Sequence, residues 1–299
     1  MPRPTLETVV PASLQSGLPG CYVIHAPARQ TVPLVFSSPH SGCCYDDEFI
    51  ATARLDEKTL RRSEDSYVDD IFGTAPAHGA PLIAATFPRA FCDVNREAWE
   101  LDPAMFEDTL PAWVNTTSPR VGAGLGTIAR VVANGEAIYG IRLRFAEAQR
   151  RVHGYWQPYH DALLSMIEDT RAHFGACLLV DCHSMPSGTT AGRRAMPDVV
   201  LGDVHGTTCA PAVMRRAEAF FSERGYLTRR NDPYAGGYVT RHYGRPNANI
   251  HALQIEIARG LYMDEATLEK RSGYARVKRD ADALIPVLAA LAAELAGGA

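Results

Sequence analysis

Two histidines follow short apolar runs of the kind that form buried strands. His40 comes after the run Leu34–Phe36 in a Pro-His-Ser-Gly turn, and His183 comes after Cys177–Val180 in an Asp-x-His sequence. In open α/β sheets, ligands bind beyond the carboxyl ends of the strands, and neutral imidazole is the commonest zinc donor. A single histidine in a turn is more often structural, but two at separate strand ends predict a shared metal site.

A catalytic zinc usually has three protein ligands and an open position for water, so an acidic ligand should accompany the two histidines. The best candidates are Glu64 and Asp65, early in a helix predicted over 54–74. The spacing does not separate the two, and acidic residues near a helix start also complement its dipole without any metal. Asp181, two residues before His183, is a candidate to orient an imidazole.

One predicted strand carries a carboxylate. The run 252–257 alternates, with three aliphatic side chains on one face and Gln254 and Glu256 on the other. A carboxylate there is costly to bury unless it is paired or used. Two interpretations stay open: a salt bridge with Arg259 or another arginine, or a general base that acts on water at the metal.

Two further segments concentrate polar and cationic side chains. Arg89, Asn95 and Arg96 follow the predicted strand over 81–84. Arg241 and His242 follow a Gly-Gly turn, which is typical of a mobile binding loop. Arginine offers a planar fork for carboxylates and a fixed cation for a developing oxyanion, whereas a surface or ion-paired arginine is the plainer interpretation.

The elements that must position these residues alternate between strands and helices. The predicted strands are 34–36, 81–84, 177–180, 198–201 and 252–257, and helical patterns cover about 54–74, 135–173 (with a kink at Pro158), 210–224 and 265–296 (with Asp264 as its cap). This alternation predicts an α/β fold with a mainly parallel sheet. We expect one domain over 1–299, with an irregular lead-in over 1–20 and an insertion over 102–135 that covers the site.

Composition excludes several classes of protein. The 299 residues carry a net charge of −4, which argues against a broad electrostatic grip on nucleic acid. No apolar run approaches the length of a membrane span, and the N-terminal segment lacks the apolar core of a signal peptide, so we expect a cytoplasmic protein. The seven cysteines contain no CxxC pair and are predicted to be reduced. Signatures of serine hydrolases, P-loop nucleotidases, HExxH metalloproteases and Rossmann dehydrogenases are missing.

Taken in order, six motifs make the sequence resemble the N-formylglutamate amidohydrolase family over about residues 30–270. The motifs lie within Ser38–Gly42, Ser63–Asp69, Phe87–Glu97, Asp181–Ser184, Gly236–Pro246 and Gln254–Asp264. That family is similar in turn to the zinc carboxypeptidase and aspartoacylase group. The resemblance therefore implies an α/β core of mixed, mainly parallel sheet flanked by helices, with one catalytic zinc.

The resemblance also implies the metal ligands. His40 and His183 would bind zinc, and the third ligand would come from Glu64 or Asp65. In the carboxypeptidase pattern an acid follows the first histidine by three positions, but position 43 is Cys here. The acid must then come from the next helix, and Asp65 is preferred with Glu64 as the alternative.

The same resemblance implies roles for the remaining polar residues. Glu256 matches the general base and Arg89 the arginine that stabilises the oxyanion. Asn95 with Arg96 matches the pair that holds the α-carboxylate. Arg241, beside His242, is the expected partner of a second carboxylate.

The implied reaction is hydrolysis of the formamide of N-formyl-L-glutamate, at the end of histidine degradation, on a small dicarboxylate substrate. A deacylase of another N-acyl amino acid and a non-catalytic module that binds an acidic small molecule are the alternatives.

Overall fold

The computed structural model describes residues 20–132, 135–188 and 196–297, so nearly all of the predicted lead-in over 1–20 lies outside the described residues. Within these ranges seven strands form one sheet in the order β1-β3-β2-β4-β7-β5-β6. The strands are β1 Tyr22–His25, β2 Leu34–Ser38, β3 Leu82–Ala85, β4 Cys177–Met185, β5 Val199–Gly202, β6 Thr228–Arg230 and β7 Ile250–Ala258. The pairings β1–β3 and β5–β7 are antiparallel and the other four are parallel. The predicted α/β class with a mainly parallel sheet is confirmed.

Helices cover both faces of the sheet. The described helices are α1 Asp47–Thr52, α2 Glu57–Leu60, α3 Val68–Ile71, α4 Pro119–Gly122, α5 Phe145–Arg151, α6 Gln157–Phe174, α7 Pro211–Glu223, α8 Tyr238–Tyr243 and α9 Tyr274–Gly297. Alternate strand residues enter opposite apolar layers: Leu34 and Phe36 pack with α3, α7 and α9, while Val35 packs with α1, α6 and α8. None of the described helices combines the length and the apolar character needed to cross a lipid bilayer.

The two central strands are longer than the apolar runs that predict them. β4 and β7 each have nine buried residues, and β4 continues beyond Val180 through Asp181 and His183. In their parallel register His183 is the partner of Glu256, and Asp181 is the partner of Gln254. Strand pairing thus sets a candidate metal ligand beside the candidate base.

The continuous helix predicted over 54–74 is wrong. The chain forms α2 and a 3-10 turn over Arg61–Ser63, and it then leaves helical geometry before α3. Asp65 donates its backbone N–H to the carbonyl oxygen of His40 at 2.9 Å. Tyr67 then takes a left-handed conformation with φ of 69°. The Asp65 N–H thus bonds to a distant carbonyl and not to one within a continuous helix. Glu64 and Asp65 lie in the break between the 3-10 turn and α3.

Three other helix predictions need correction. α9 begins at Tyr274, about ten residues later than predicted, because Asp264 instead caps a local turn by accepting hydrogen bonds from the N–H groups of Ala266 and Thr267. The helix predicted from 135 begins at Phe145. In place of the kink predicted at Pro158, this helical region has a π-helical turn over Val152–Trp156, just before Pro158.

The segment after the Gly-Gly turn, predicted to be a mobile loop, forms the short helix α8. The region predicted as an insertion over 102–135 contains a 3-10 turn and α4, and residues 133–134 of it lie outside the described residues.

Candidate active site

A cavity of about 420 Å³ opens where the carboxyl ends of the central strands meet. His40 reaches it just beyond β2, and Arg89 from the segment after β3. His183 and Glu256 reach it from β4 and β7. The residues predicted from separate motifs therefore share one cavity, at the sheet edge where α/β proteins bind ligands.

Three buried side chains in this cavity form a cluster suited to a metal ion. One ligand atom each from His40, Asp65 and His183 lies within 4.8 Å of the others. Asp65 Oδ2 is 3.0 Å from His183 Nδ1 and 3.4 Å from His40 Nδ1. His40 Nδ1 is buried and has no hydrogen-bond partner among the described residues, which a buried polar atom rarely tolerates. Two imidazoles and a carboxylate are a donor set that zinc takes, so these residues fit a metal ion.

The alternative ligand Glu64 points away from this cluster. Its carboxylate accepts hydrogen bonds from Arg61 Nε at 3.1 Å and from the Ser66 hydroxyl at 2.9 Å. Glu64 is buried, and burial raises its carboxyl pKa against the opposing effect of Arg61. Of the two adjacent acids, the fold turns Asp65 towards the histidines and Glu64 towards Arg61.

The outer ring nitrogen of each imidazole lies close to a carboxylate oxygen. His40 Nε2 lies 2.7 Å from Asp93 Oδ1, and His183 Nε2 lies 3.0 Å from Asp181 Oδ1. Asn95 Nδ2 is also 3.0 Å from His183 Nε2. A carboxylate that receives the outer N–H of a metal-binding histidine fixes the ring and raises its basicity, and Asp93 is placed to do so for His40. At His183 the Asn95 amide donates to Nε2 instead, and Asp181 Oδ1 makes no hydrogen bond with the described residues. In this arrangement both Nδ1 atoms are directed at Asp65.

Electrostatics also favour a cation at the cluster. Burial opposes ionisation of Asp65, yet the hydrogen bond from His183, the nearby His40 and the charge of Arg259 hold its pKa well below the usual range. Burial likewise opposes a charge on His183, but the carboxylates of Asp181 and Asp65 raise its pKa well above the usual value. The raised pKa of His183 reflects the negative charge of the carboxylates around it, which a divalent ion would also compensate.

Glu256 has the properties of a base poised near neutral pH. Burial raises its pKa to about 7, although His183 lowers it. Its Oε1 accepts a hydrogen bond of 3.0 Å from Gln254 Nε2, and Gln254 Oε1 accepts one of 2.7 Å from the Gly237 N–H. The salt bridge considered between Glu256 and Arg259 is not formed, because Arg259 donates to Asp65 Oδ1 at 2.9 Å.

The arginines near the cavity are engaged to different extents. Arg89 donates to Asp93 Oδ2 at 2.8 Å. Arg96 donates from Nε to the Leu125 carbonyl and from one terminal nitrogen to the Asn95 carbonyl, each at 2.8 Å. Two guanidinium nitrogens of Arg96 are therefore engaged, and the bond to Leu125 connects the segment after α4 to the site. Arg241 is exposed, and within the described part of the chain its side chain donates only to the Gly236 carbonyl, at 3.0 Å.

His242 lies apart from the main cavity. It lines an adjoining cavity of about 370 Å³ and stacks on Tyr238 with ring centroids 4.8 Å apart. Burial lowers its pKa, and the charge of Arg245 lowers it further. Of the predicted substrate-binding residues, Asn95, Arg96 and Arg241 line the main cavity and His242 does not.

Comparison with known proteins identifies the family. The profile of N-formylglutamate amidohydrolases matches residues 32–263. The chain belongs to the N-formylglutamate amidohydrolase family. The family resemblance predicted from the six motifs is confirmed.

Individual members of this family align over most of the chain. N-formylglutamate deformylases of Pseudomonas putida and Pseudomonas aeruginosa are each 30% identical, over 78% and 79% of this chain and 83% and 84% of theirs. A crystal structure of N-formylglutamate amidohydrolase from Ralstonia eutropha JMP134 superimposes with a TM-score of 0.85 at 36% identity, and the match covers 94% of this chain and all of that one.

In this member of the N-formylglutamate amidohydrolase family, sequence reasoning missed several residues that shape the site. Asp93 has no sequence signal beyond its place in the motif Phe87–Glu97, although it contacts both His40 and Arg89. Gln254 was recognised on the correct face of β7 but without its contact to Glu256. Arg120 lines the cavity and had no sequence signal beyond its place in the predicted insertion.

Proposed function

We propose that this chain is a zinc-dependent amidohydrolase that cleaves the formamide of N-formyl-L-glutamate to formate and L-glutamate. The observation that carries the proposal is the buried His40, Asp65 and His183 cluster with Glu256 in the same cavity. Membership of the N-formylglutamate amidohydrolase family supports the choice of substrate. The chain's net charge of −4 is no obstacle, since several arginines gather at this cavity.

The proposed metal would be held by His40, Asp65 and His183. A zinc ion bound there supplies a Lewis acid for the formyl carbonyl and lowers the pKa of water. Asp93 and Asp181 would keep the two imidazoles directed at it, by the contacts of 2.7 and 3.0 Å described above.

The proton transfers would fall to Glu256. Its carboxylate takes a proton from the attacking water as the new C–O bond forms at the formyl carbon and the carbonyl electron pair moves onto oxygen. Arg89, held by Asp93, offers a fixed positive charge to that oxygen. Glu256 then delivers the proton to the nitrogen as the C–N bond breaks. Loss of one such oxyanion donor typically lowers the rate about 10²–10³-fold.

The substrate's charges would be matched by the polar end of the cavity. Asn95 and Arg96 are proposed to bind the α-carboxylate, using the nitrogen of Arg96 that lies 3.8 Å from Asp93 Oδ2. Arg241 is proposed to bind the side-chain carboxylate. His242 would act only at the rim, from the adjoining cavity.

The direct test combines metal analysis with product assays. Purified chain should contain about one zinc per chain and release formate from N-formyl-L-glutamate far faster than acetate or succinate from the corresponding N-acyl glutamates. Faster cleavage of another acyl group would replace the formyl assignment with that of a different deacylase. Tight binding of N-acyl amino acids without any hydrolysis would indicate a non-catalytic module.

A further inference from the structure

We propose that Arg120 is a specificity-determining residue which, together with Arg241, binds the distal carboxylate of a dicarboxylic N-acyl amino acid. The inference deepens the proposed function and rests on it, since it names what would make this site prefer a substrate with a second carboxylate. Arg120 belongs to α4 in the region predicted as an insertion, far in sequence from the other candidate site residues.

Arg120 and Arg241 both line the main cavity and also the adjoining one. They therefore lie where the two cavities meet. In this proposal, the amide of the substrate lies at the buried His40 and Glu256 and its other end lies at this boundary.

The arginines of the main cavity differ in whether their charge is paired with a carboxylate. Arg89 and Arg259 of the same cavity are paired with Asp93 and Asp65. The side chain of Arg120, in contrast, is exposed and makes no hydrogen bond or ion pair with any residue that the structure describes. Its positive charge is free for an anionic ligand.

The neighbours of Arg120 indicate on which side that anion binds. Glu97 and Glu100 line the adjoining cavity and would repel a carboxylate there. The main cavity has Arg96 at the same boundary. Burial lowers the pKa of its guanidinium and the charges of Arg89 and Arg120 lower it further, against the opposing charges of Asp93 and Glu100. A carboxylate on the main-cavity side would relieve this excess of positive charge.

The backbone that carries Arg120 is fixed to the site. The Ser118 hydroxyl caps α4 by accepting from the Val121 N–H at 3.2 Å. The Arg120 carbonyl accepts from the Leu125 N–H at 2.8 Å, and the Leu125 carbonyl accepts from Arg96 Nε at 2.8 Å. Two hydrogen bonds thus connect Arg120 to Arg96, and only its side chain has to order when substrate binds.

The test is Arg120→Gln with two substrates of equal length, N-formyl-L-glutamate and N-formyl-L-glutamine. We expect kcat/KM for the glutamate substrate to fall about 10- to 100-fold, mainly through KM, because charge-assisted hydrogen bonds are lost. The glutamine substrate should change less than about twofold. Arg142→Gln, at an exposed arginine beside a separate surface cavity, is the matched control and should affect neither. An equal fall for both substrates, or no fall, overturns the role of Arg120.

A binding measurement separates this inference from the proposed reaction. If the unaltered chain does not hydrolyse N-formyl-L-glutamate, the proposed function fails, and calorimetric titration with L-glutamate and L-glutamine tests Arg120 alone. The inference predicts a preference for glutamate that drops about tenfold or more in Arg120→Gln. No preference in the unaltered chain, or an unchanged one in the variant, overturns it.

Discussion

Two buried carboxylates within the same cavity are tuned in opposite directions by their neighbours. Asp65 is surrounded by hydrogen-bond donors and by Arg259, which hold its pKa well below the usual range. Glu256 is buried with fewer donors, and its pKa rises to about 7. Environments that separate the pKa values of nearby acids are how active sites assign different roles to the same side chain. These opposite directions support the proposed division of roles, with Asp65 as a metal ligand and Glu256 as the base.

Glu256→Gln tests the second assignment. The amide keeps the size of the side chain but cannot accept a proton, so we expect kcat for formate release to fall about 10²–10⁴-fold with bound zinc unchanged. The measurement is steady-state kinetics together with zinc content per chain. Near-full activity in this variant would show that another group is the base.

The adjacent acids Glu64 and Asp65 form a matched pair for the metal assignment. Asp65→Asn removes the charge that faces both histidines, and we expect zinc content and activity to be lost together. Glu64→Gln removes an equally buried charge that faces Arg61, so zinc content should be retained. Elemental analysis of both purified variants decides the matter. The reverse result would make Glu64 the ligand.

At the scale of elements, the pairing of β4 and β7 explains much of what could be predicted. The alternation in β7 correctly places Gln254 and Glu256 on the face opposite the aliphatic side chains of 253, 255 and 257, because a strand has a fixed period of two. The break between α2 and α3 could not be predicted, because it depends on the tertiary hydrogen bond from Asp65 to His40. Asp93 acts through a partner 53 positions away, which local patterns do not reveal.

The turn before α8 makes a close contact that depends on glycine. A Cβ atom added at Gly237 would lie 2.2 Å from Asn95 Nδ2, whereas one added at Gly122 in α4 would meet no atom within 4 Å. For Gly237→Ala we expect a loss of about 1–3 kcal/mol in the free energy of unfolding, from overpacking. A lower kcat/KM should accompany it, because Asn95 contacts His183.

Gly122→Ala is the control for that variant. Since the added methyl group meets no obstacle in a helical turn, stability should be unchanged or up to about 1 kcal/mol higher. Urea unfolding and formate-release kinetics on both variants provide the comparison. Equal stability of the two alanine variants would contradict the proposed tight contact.

Over the whole molecule, the sheet separates two apolar layers, and a few buried polar groups connect the elements within them. His160 of α6 is one of these. Its Nε2 donates to the Val94 carbonyl, beside Asp93 and Asn95, and its Nδ1 accepts from the Tyr243 hydroxyl of α8, both at 2.8 Å. This neutral imidazole thus joins two helices to the segment that carries the site.

His160 also makes the stability of the whole chain depend on pH. Burial lowers its pKa to about 3 and the charge of His242 adds to this, although the Val94 hydrogen bond opposes it. Between the unfolded value of about 6.5 and pH 3, the unfolded chain therefore binds a proton that the folded chain does not. The contribution of His160 to the free energy of unfolding is fully present above pH 6.5 and is lost as the pH falls.

His160→Gln lacks this loss. The difference in the free energy of unfolding between the unaltered chain and the variant should therefore be about 2 kcal/mol smaller at pH 5 than at pH 7. Urea unfolding of both proteins at the two pH values measures this gap, and a constant gap would mean that His160 titrates normally in the folded chain.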